Sequence, residues 1–201
     1  MAEKIVIKDF GTTTIKVTIE GTAPLIVHRW EQKIREQMVH DRIGGAPAPK
    51  KPIIDPQEKY EATIYRLEDG TPGFPATAFK LASARGAQAF GMRMTEFKPQ
   101  VLIHGEGPEQ LVRLIGEPRM REDLVRVGGK GKGTGAPDIR WRGEFWPWSA
   151  ELTVTFTSVS LSAEQIVNCI NAGGMNGVGE WRPEKDGTFG TYRAVGAEVA
   201  S

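Results

Sequence analysis

Two stretches of this chain alternate strictly between apolar and polar residues, and they narrow the available folds more than any other feature. In TTTIKVTIEG, residues 12–21, Ile15, Val17 and Ile19 fall on one side, and Thr14, Lys16, Thr18 and Glu20 on the other. In SAELTVTFTSVS, residues 149–160, Leu152, Val154 and Phe156 alternate with Thr153, Thr155 and Thr157. A period of two is that of a strand with one face in a core and one in water. Such strands require a sheet that is covered on one side.

Two segments supply the cover. ATAFKLASARGAQAF, residues 76–90, is rich in Ala and Leu and predicts a helix, with Thr77 as a cap and Gly91 as its end. SAEQIVNCINAGG, residues 162–174, opens on Ser162 with Gln165 three residues later and carries an apolar stripe of Ile166, Cys169 and Ile170. VLIHGEG and QLVRLIGEP read as a strand pair, LVRVGG and DIRWRGEF as a second pair, and TYRAVGAEV as the last strand. WEQKIREQMVHD, residues 30–41, has the composition of a short surface helix, and EKYEATIYRLEDG that of a short helix or strand ending at Asp69-Gly70. With residues 22–70 and 105–145 set aside, the order is strand, helix, strand, strand, helix, strand. That is the order of an α+β, ferredoxin-like antiparallel sheet of the RNA-recognition-motif type. The expected organisation is one domain over residues 1–201 with two insertions. Residues 42–56 form a flexible segment rich in Pro and Gly, and residues 105–145 carry a basic β-hairpin.

Charge and motif content exclude several function classes. The net charge is only +1, so any electrostatic site has to come from local segregation of charge. The single cysteine, Cys169, cannot form an intramolecular disulfide and reads as a small buried residue. No apolar run reaches the roughly 20 residues that span a bilayer, and MAEKIVIKDFG lacks the apolar centre of a secretion signal, so a cytoplasmic location away from membranes is expected. Histidines at 28, 40 and 104 share no metal-ligand spacing, so neither a metal nor a cofactor is expected. Gly174, Gly177 and Gly179 have the wrong spacing for a dinucleotide fingerprint and precede a strand. GGKGKGTG has no Ser or Thr directly after a lysine. The one candidate for acid–base catalysis is His28, just past the first strand.

Local segregation does occur in residues 113–142, which carry eight Lys or Arg against four acids. Arg140 and Arg142 flank Trp141, which places both arginines on one strand face and Trp141 on the other. With Arg126 and the hairpin-tip residues Lys130 and Lys132, they form a candidate set of phosphate contacts. The alternative is a solvated hairpin whose charges serve only solubility. Trp141, Trp146 and Trp148 stand close by, as core anchors or as stacking platforms. Farther on, six glycines lie between Gly173 and Gly190, with Arg182 among them. Such a loop is either slack or a place where backbone and ligand approach closely.

The strand leading into GTAPLIV (Gly21 to Val27), the ferredoxin-like order, and Gly174, Gly177 and Gly179 with Gly187 and Gly190 together resemble the RAMP superfamily, the RNA-binding subunits of CRISPR effector complexes. In that family a glycine-rich loop near the C-terminal end of the fold packs beside RNA. The tail GVGEWRP…GTFGTY also looks like that of bacteriophage proteins, which implies a phage role independent of CRISPR as an alternative. The resemblance implies a non-catalytic binder of single-stranded nucleic acid, RNA before DNA. It would assemble side by side as a homo-oligomer or as a subunit of a larger complex. The rival readings are a structural assembly protein that makes only protein contacts and a metal-independent endoribonuclease that uses His28.

Overall fold

A computed structural model describes residues 11–29, 55–128 and 135–200. In chain order the first elements are β1 (Thr12–Gly21), β2 (Leu25–Val27), α1 (Pro56–Ala62), β3 (Gly73–Pro75), α2 (Ala76–Gly86) and α3 (Met94–Gln100). They are followed by β4 (Val101–Ile103), β5 (Leu111–Ile115), β6 (Pro118–Val127), β7 (Ala136–Phe145), β8 (Ser149–Thr157), α4 (Ala163–Gly174) and β9 (Tyr192–Val199).

The two alternating stretches are neighbours. β1 pairs antiparallel with β8 from Thr12 opposite Thr157 to Glu20 opposite Ser149. β9 pairs with the other edge of β1. Across β8, β4 takes the half near Phe156 and β5 the half near Ala150. The spatial order is therefore β9, β1, β8, then β4 and β5, all antiparallel, with β3 added beside β5. This is the ferredoxin-like arrangement that the order of elements predicts. Ile15, Val17, Ile19, Leu152, Val154 and Phe156 are buried on the covered face against α2 and α4, because the pleat sends every second side chain the same way.

The helices meet closely. A Cβ on Gly86 would land on the backbone of α4 at Cys169 and Gly173, so the glycine lets the two axes approach. α4 carries the expected capping box: Ser162 Oγ accepts from Gln165 N at 3.2 Å, and Ser162 N donates to Gln165 Oε1 at 2.9 Å. Cys169 is buried beneath α2, and desolvation pushes its thiol up to about 11.

Several local expectations differ from the structure. Thr77 does not cap α2, because Pro75 occupies the cap position and Thr77 lies one residue inside the helix. VLIHGEG and QLVRLIGEP do not pair along their length. Both pair with β8, and only Glu106 and Leu111 bridge across the turn at Gly107. The short helix α3, with Pro99 inside it, has no counterpart in the sequence reading. The end of the Pro-rich stretch is ordered by α1, where Asp55 Oδ1 accepts from Gln57 N at 2.9 Å and Pro56 starts the helix. The remainder of residues 42–56 and the helix expected over 30–41 lie outside the described residues. Among the described residues, no helix is long and apolar enough to cross a membrane.

β6 and β7 form the expected hairpin, which begins at Pro118 and joins β2 in a second sheet of order β2, β7, β6. Residues 105–117 instead supply β5 to the main sheet. α1 packs on the hairpin. Tyr60 Oη donates to the Pro118 carbonyl at 3.0 Å, and Gly143 N donates to Thr63 Oγ1 at 3.2 Å.

Candidate functional site

The glycine-rich loop leaves α4 and returns across β2. Gly190 N donates to Pro24 O at 2.7 Å, Glu180 N to Ile26 O at 2.9 Å, and Val178 N to Gly190 O at 2.9 Å. The GTAPLIV segment and the glycine loop are thus two sides of one hydrogen-bonded layer. The glycines are required by this packing. Gly174 is buried, and a Cβ there would land on the Tyr192 carbonyl oxygen, so it is not a surface that a ligand reaches. Gly177, at φ +68°, would place a Cβ 2.9 Å from Phe189 O. Gly179, at φ +79°, would place one 2.5 Å from Ile26 O. Much of the close approach expected for a ligand is made by the protein's own backbone.

The hairpin sorts its charges by face. In register, Arg121 lies opposite Arg142, Asp123 opposite Arg140, and Glu122 opposite Trp141, so the arginines share one face and Trp141 takes the other, as the alternation predicts. Trp141 Nε1 donates to Glu122 Oε2 at 3.0 Å. The arginine face turns toward the glycine loop. Arg142, expected as a phosphate contact, is only 2% exposed. It lies 3.4 Å from Asp123 and 3.8 Å from Glu180, with its guanidinium carbon 4.8 Å from the centre of the Trp181 ring. Burial lowers its pKa, opposed by the charges of Glu180 and Asp123. Arg121 pairs with Asp123 at 2.8 Å and Glu144 at 2.6 Å and lies over Trp181 and Phe189 at 5.5 and 4.9 Å. Both arginines therefore hold the hairpin against the loop. Arg119 and Arg126 are exposed, and Arg140 is half-buried 3.7 Å from Asp138. Lys130 and Lys132 lie outside the described residues. Of the three clustered tryptophans, Trp148 is a core anchor that donates to Ala23 O at 2.8 Å, whereas Trp146 is 42% exposed.

Where the loop passes α2 it borders a cleft of about 340 Å³. Its lining combines Tyr65, Phe74 and Leu81 with the loop backbone at Gly177 to Gly179, and His28, Arg85, Glu180 and Arg182 supply charge and hydrogen-bonding groups. His28, Gly177, Gly179 and Arg182 were each a candidate on sequence grounds, and the fold brings them together. Arg85 and Arg182 meet at Glu184, at 2.9 and 2.7 Å, and Lys185 joins the same carboxylate at 3.2 Å. Burial works to raise the Glu184 pKa, but hydrogen bonds from Lys185 and Arg182 and the charge of Arg85 hold it below the usual range. With Glu180 counted as well as Glu184, the three cations Arg85, Arg182 and Lys185 outnumber the two carboxylates and leave positive charge in excess beside the cleft. Arg85 and Tyr65 escaped the sequence reading because nothing local distinguishes an arginine facing a cleft from one facing water.

The open face of the main sheet is of another kind. It carries Thr14, Lys16, Thr18, Thr153 and Thr155, with Lys16 paired to Glu151 at 3.0 Å and Arg193 to Glu20 at 3.4 Å. His104 Nε2 lies 2.8 Å from Thr155 Oγ1. Among the described residues, the strands place no Phe, Tyr or Trp on this face.

The architecture is the ferredoxin-like α+β fold expected from the order of elements. No protein-family model matches the sequence, and no curated protein matches it. Among solved structures, a chain of "Type III-B Cmr-beta bound to cognate target RNA" matches with a TM-score of 0.54 and 9% identity, over 95% of this chain. This chain spans about 61% of that chain's length. Cmr6 from Pyrococcus furiosus gives a TM-score of 0.45 at 9% identity, over 92% of this chain and 99% of that one. A chain of a CRISPR RNA-guided surveillance complex gives 0.42 at 8%, over 93% and 68%. At 9% identity the likeness to the first of these is one of fold.

Proposed function

We propose that this chain binds single-stranded nucleic acid, RNA in preference to DNA, as a non-catalytic subunit that assembles side by side along the strand. The observation that carries this reading is the meeting of Gly177, Gly179, Arg182 and His28 with Arg85 in one cleft where cations outnumber carboxylates. The fold shared with a chain of an RNA-bound complex supports it. Phosphate contacts would come from Arg85 and Arg182 at the cleft and from Arg119, Arg126 and Arg140 on the hairpin, with Lys130 and Lys132 from the sequence between β6 and β7. Arg142 and Gly174 drop out of the contact set because both are buried and neither lines the cleft, whereas Gly177, though buried, borders it.

Fluorescence anisotropy with labelled oligouridine RNA and its DNA counterpart at graded salt tests the reading, and light scattering tests assembly. The expected result is tighter binding of RNA, affinity that falls with a log–log slope of about −0.7 per phosphate contact, and particles larger than one chain. A flat salt response or no binding overturns it. The presence of His28 in the same cleft as Arg85 and Arg182 favours one second reading, a metal-independent endoribonuclease with His28 as general base. RNA cleavage in EDTA that disappears in His28→Ala would replace the non-catalytic part of the proposal.

A further inference from the structure

A strand lying across a surface needs cations for its phosphates and little else. The cleft offers more. Beside Arg85 and Arg182, which one carboxylate holds together, it presents aromatic and aliphatic surface from Tyr65, Phe74 and Leu81. The rings of Tyr65 and Phe74 meet edge to face with centres 5.8 Å apart. The Arg29 guanidinium lies 5.9 Å from the centre of the Tyr65 ring, and Glu109 holds it there at 2.5 Å, so the ring is fixed from outside the cleft. Cations next to a set aromatic ring form a pair of contacts suited to a nucleotide whose base has left the stack. At about 340 Å³ the space is at the small end of the range for small-molecule sites, roughly 300–1,000 Å³, which suits one nucleotide and not a stacked pair. Among the described residues, the strands of the open sheet face carry no Phe, Tyr or Trp on which to stack such a base.

We infer that the cleft is a subsite for one unstacked nucleotide of the bound strand, with its phosphate on Arg85 and Arg182 and its base against Tyr65. The inference rests on the reading of the chain as a single-strand binder. Oligouridine containing 4-thiouridine is bound to the full chain and irradiated, and the adducts are located by mass spectrometry. Adducts are expected in the segment holding Tyr65 and Phe74. They should vanish in Ala78→Trp, which fills the cleft, while adducts on the hairpin persist and affinity falls about tenfold, the loss of one stacked base. Oligouridine that binds but forms adducts only on the hairpin overturns the subsite and leaves the binding reading intact. Oligouridine that does not bind at all overturns both. If Ala78→Trp fails to fold, the adduct map of the unaltered chain decides.

Discussion

The open face of the main sheet and the surface around the glycine loop are both polar and both carry arginine or lysine, yet they differ in what those cations do. On the sheet, Lys16 and Arg193 each sit against a single carboxylate among short threonines. Around the loop, Arg85, Arg182 and Lys185 crowd onto Glu184, and Arg121 and Arg142 lie on the rings of Trp181 and Phe189. Proteins with this architecture often bind RNA on the sheet face, where aromatic side chains stack on bases. Here the aromatic and cationic groups are gathered on the loop side instead. A fold carries no binding surface of its own, and the side chains decide which surface is equipped.

The loop side divides again, into cations and glycines that hold the fold and cations that remain accessible. The sharpest break of that division is Asp123→Ala. It leaves the Arg142 guanidinium buried without its closest carboxylate, so unfolding in denaturant should show a loss of about 3–5 kcal/mol. Arg126→Ala, on the exposed edge, should stay within about 0.5 kcal/mol. Equal effects would mean that Arg142 reaches water. Next comes Gly177→Val, a branched side chain at positive φ against the Phe189 carbonyl. It should cost about 2 kcal/mol or more, whereas Gly70→Ala, at φ +82° with nothing within 4 Å of the added atom, should cost about 1 kcal/mol. A Gly177→Val protein with undiminished melting temperature would show that the loop has slack.

Smaller effects sharpen the comparison of the two faces. Replacing Arg119, Arg126 and Arg140 together with Gln should reduce the salt slope of binding by about 2 at unchanged melting temperature, at about 0.7 per lost contact. Lys16→Gln on the open sheet face should leave that slope alone, and a changed slope would return the binding surface to the sheet. The smallest effect concerns the core between α2 and α4. With its thiol raised to about 11, Cys169 should react negligibly with a thiol reagent at pH 8 in native protein and rapidly once denaturant is added. Prompt native reaction would show that the two helices open.

Much of this protein was legible without its structure because the relevant signals are local. The alternation in residues 12–21 and 149–158 assigns each side chain to a face through the pleat alone. The Ser162 and Gln165 capping box closes within one turn. Arg140 and Arg142 share a face because they are two residues apart on a strand. None of these requires knowledge of what lies across from the face. The tertiary structure decided what does. It laid the glycine loop over one hairpin face, which turned Arg142 from a prospective phosphate ligand into a buried tie, and it packed Gly174 against the Tyr192 carbonyl at the start of β9. It also brought His28, Arg85 and Arg182 to one cleft although they lie far apart in the chain. Periodicity is a property of neighbouring residues, whereas burial and charge pairing belong to surfaces that meet only after the chain has closed on itself.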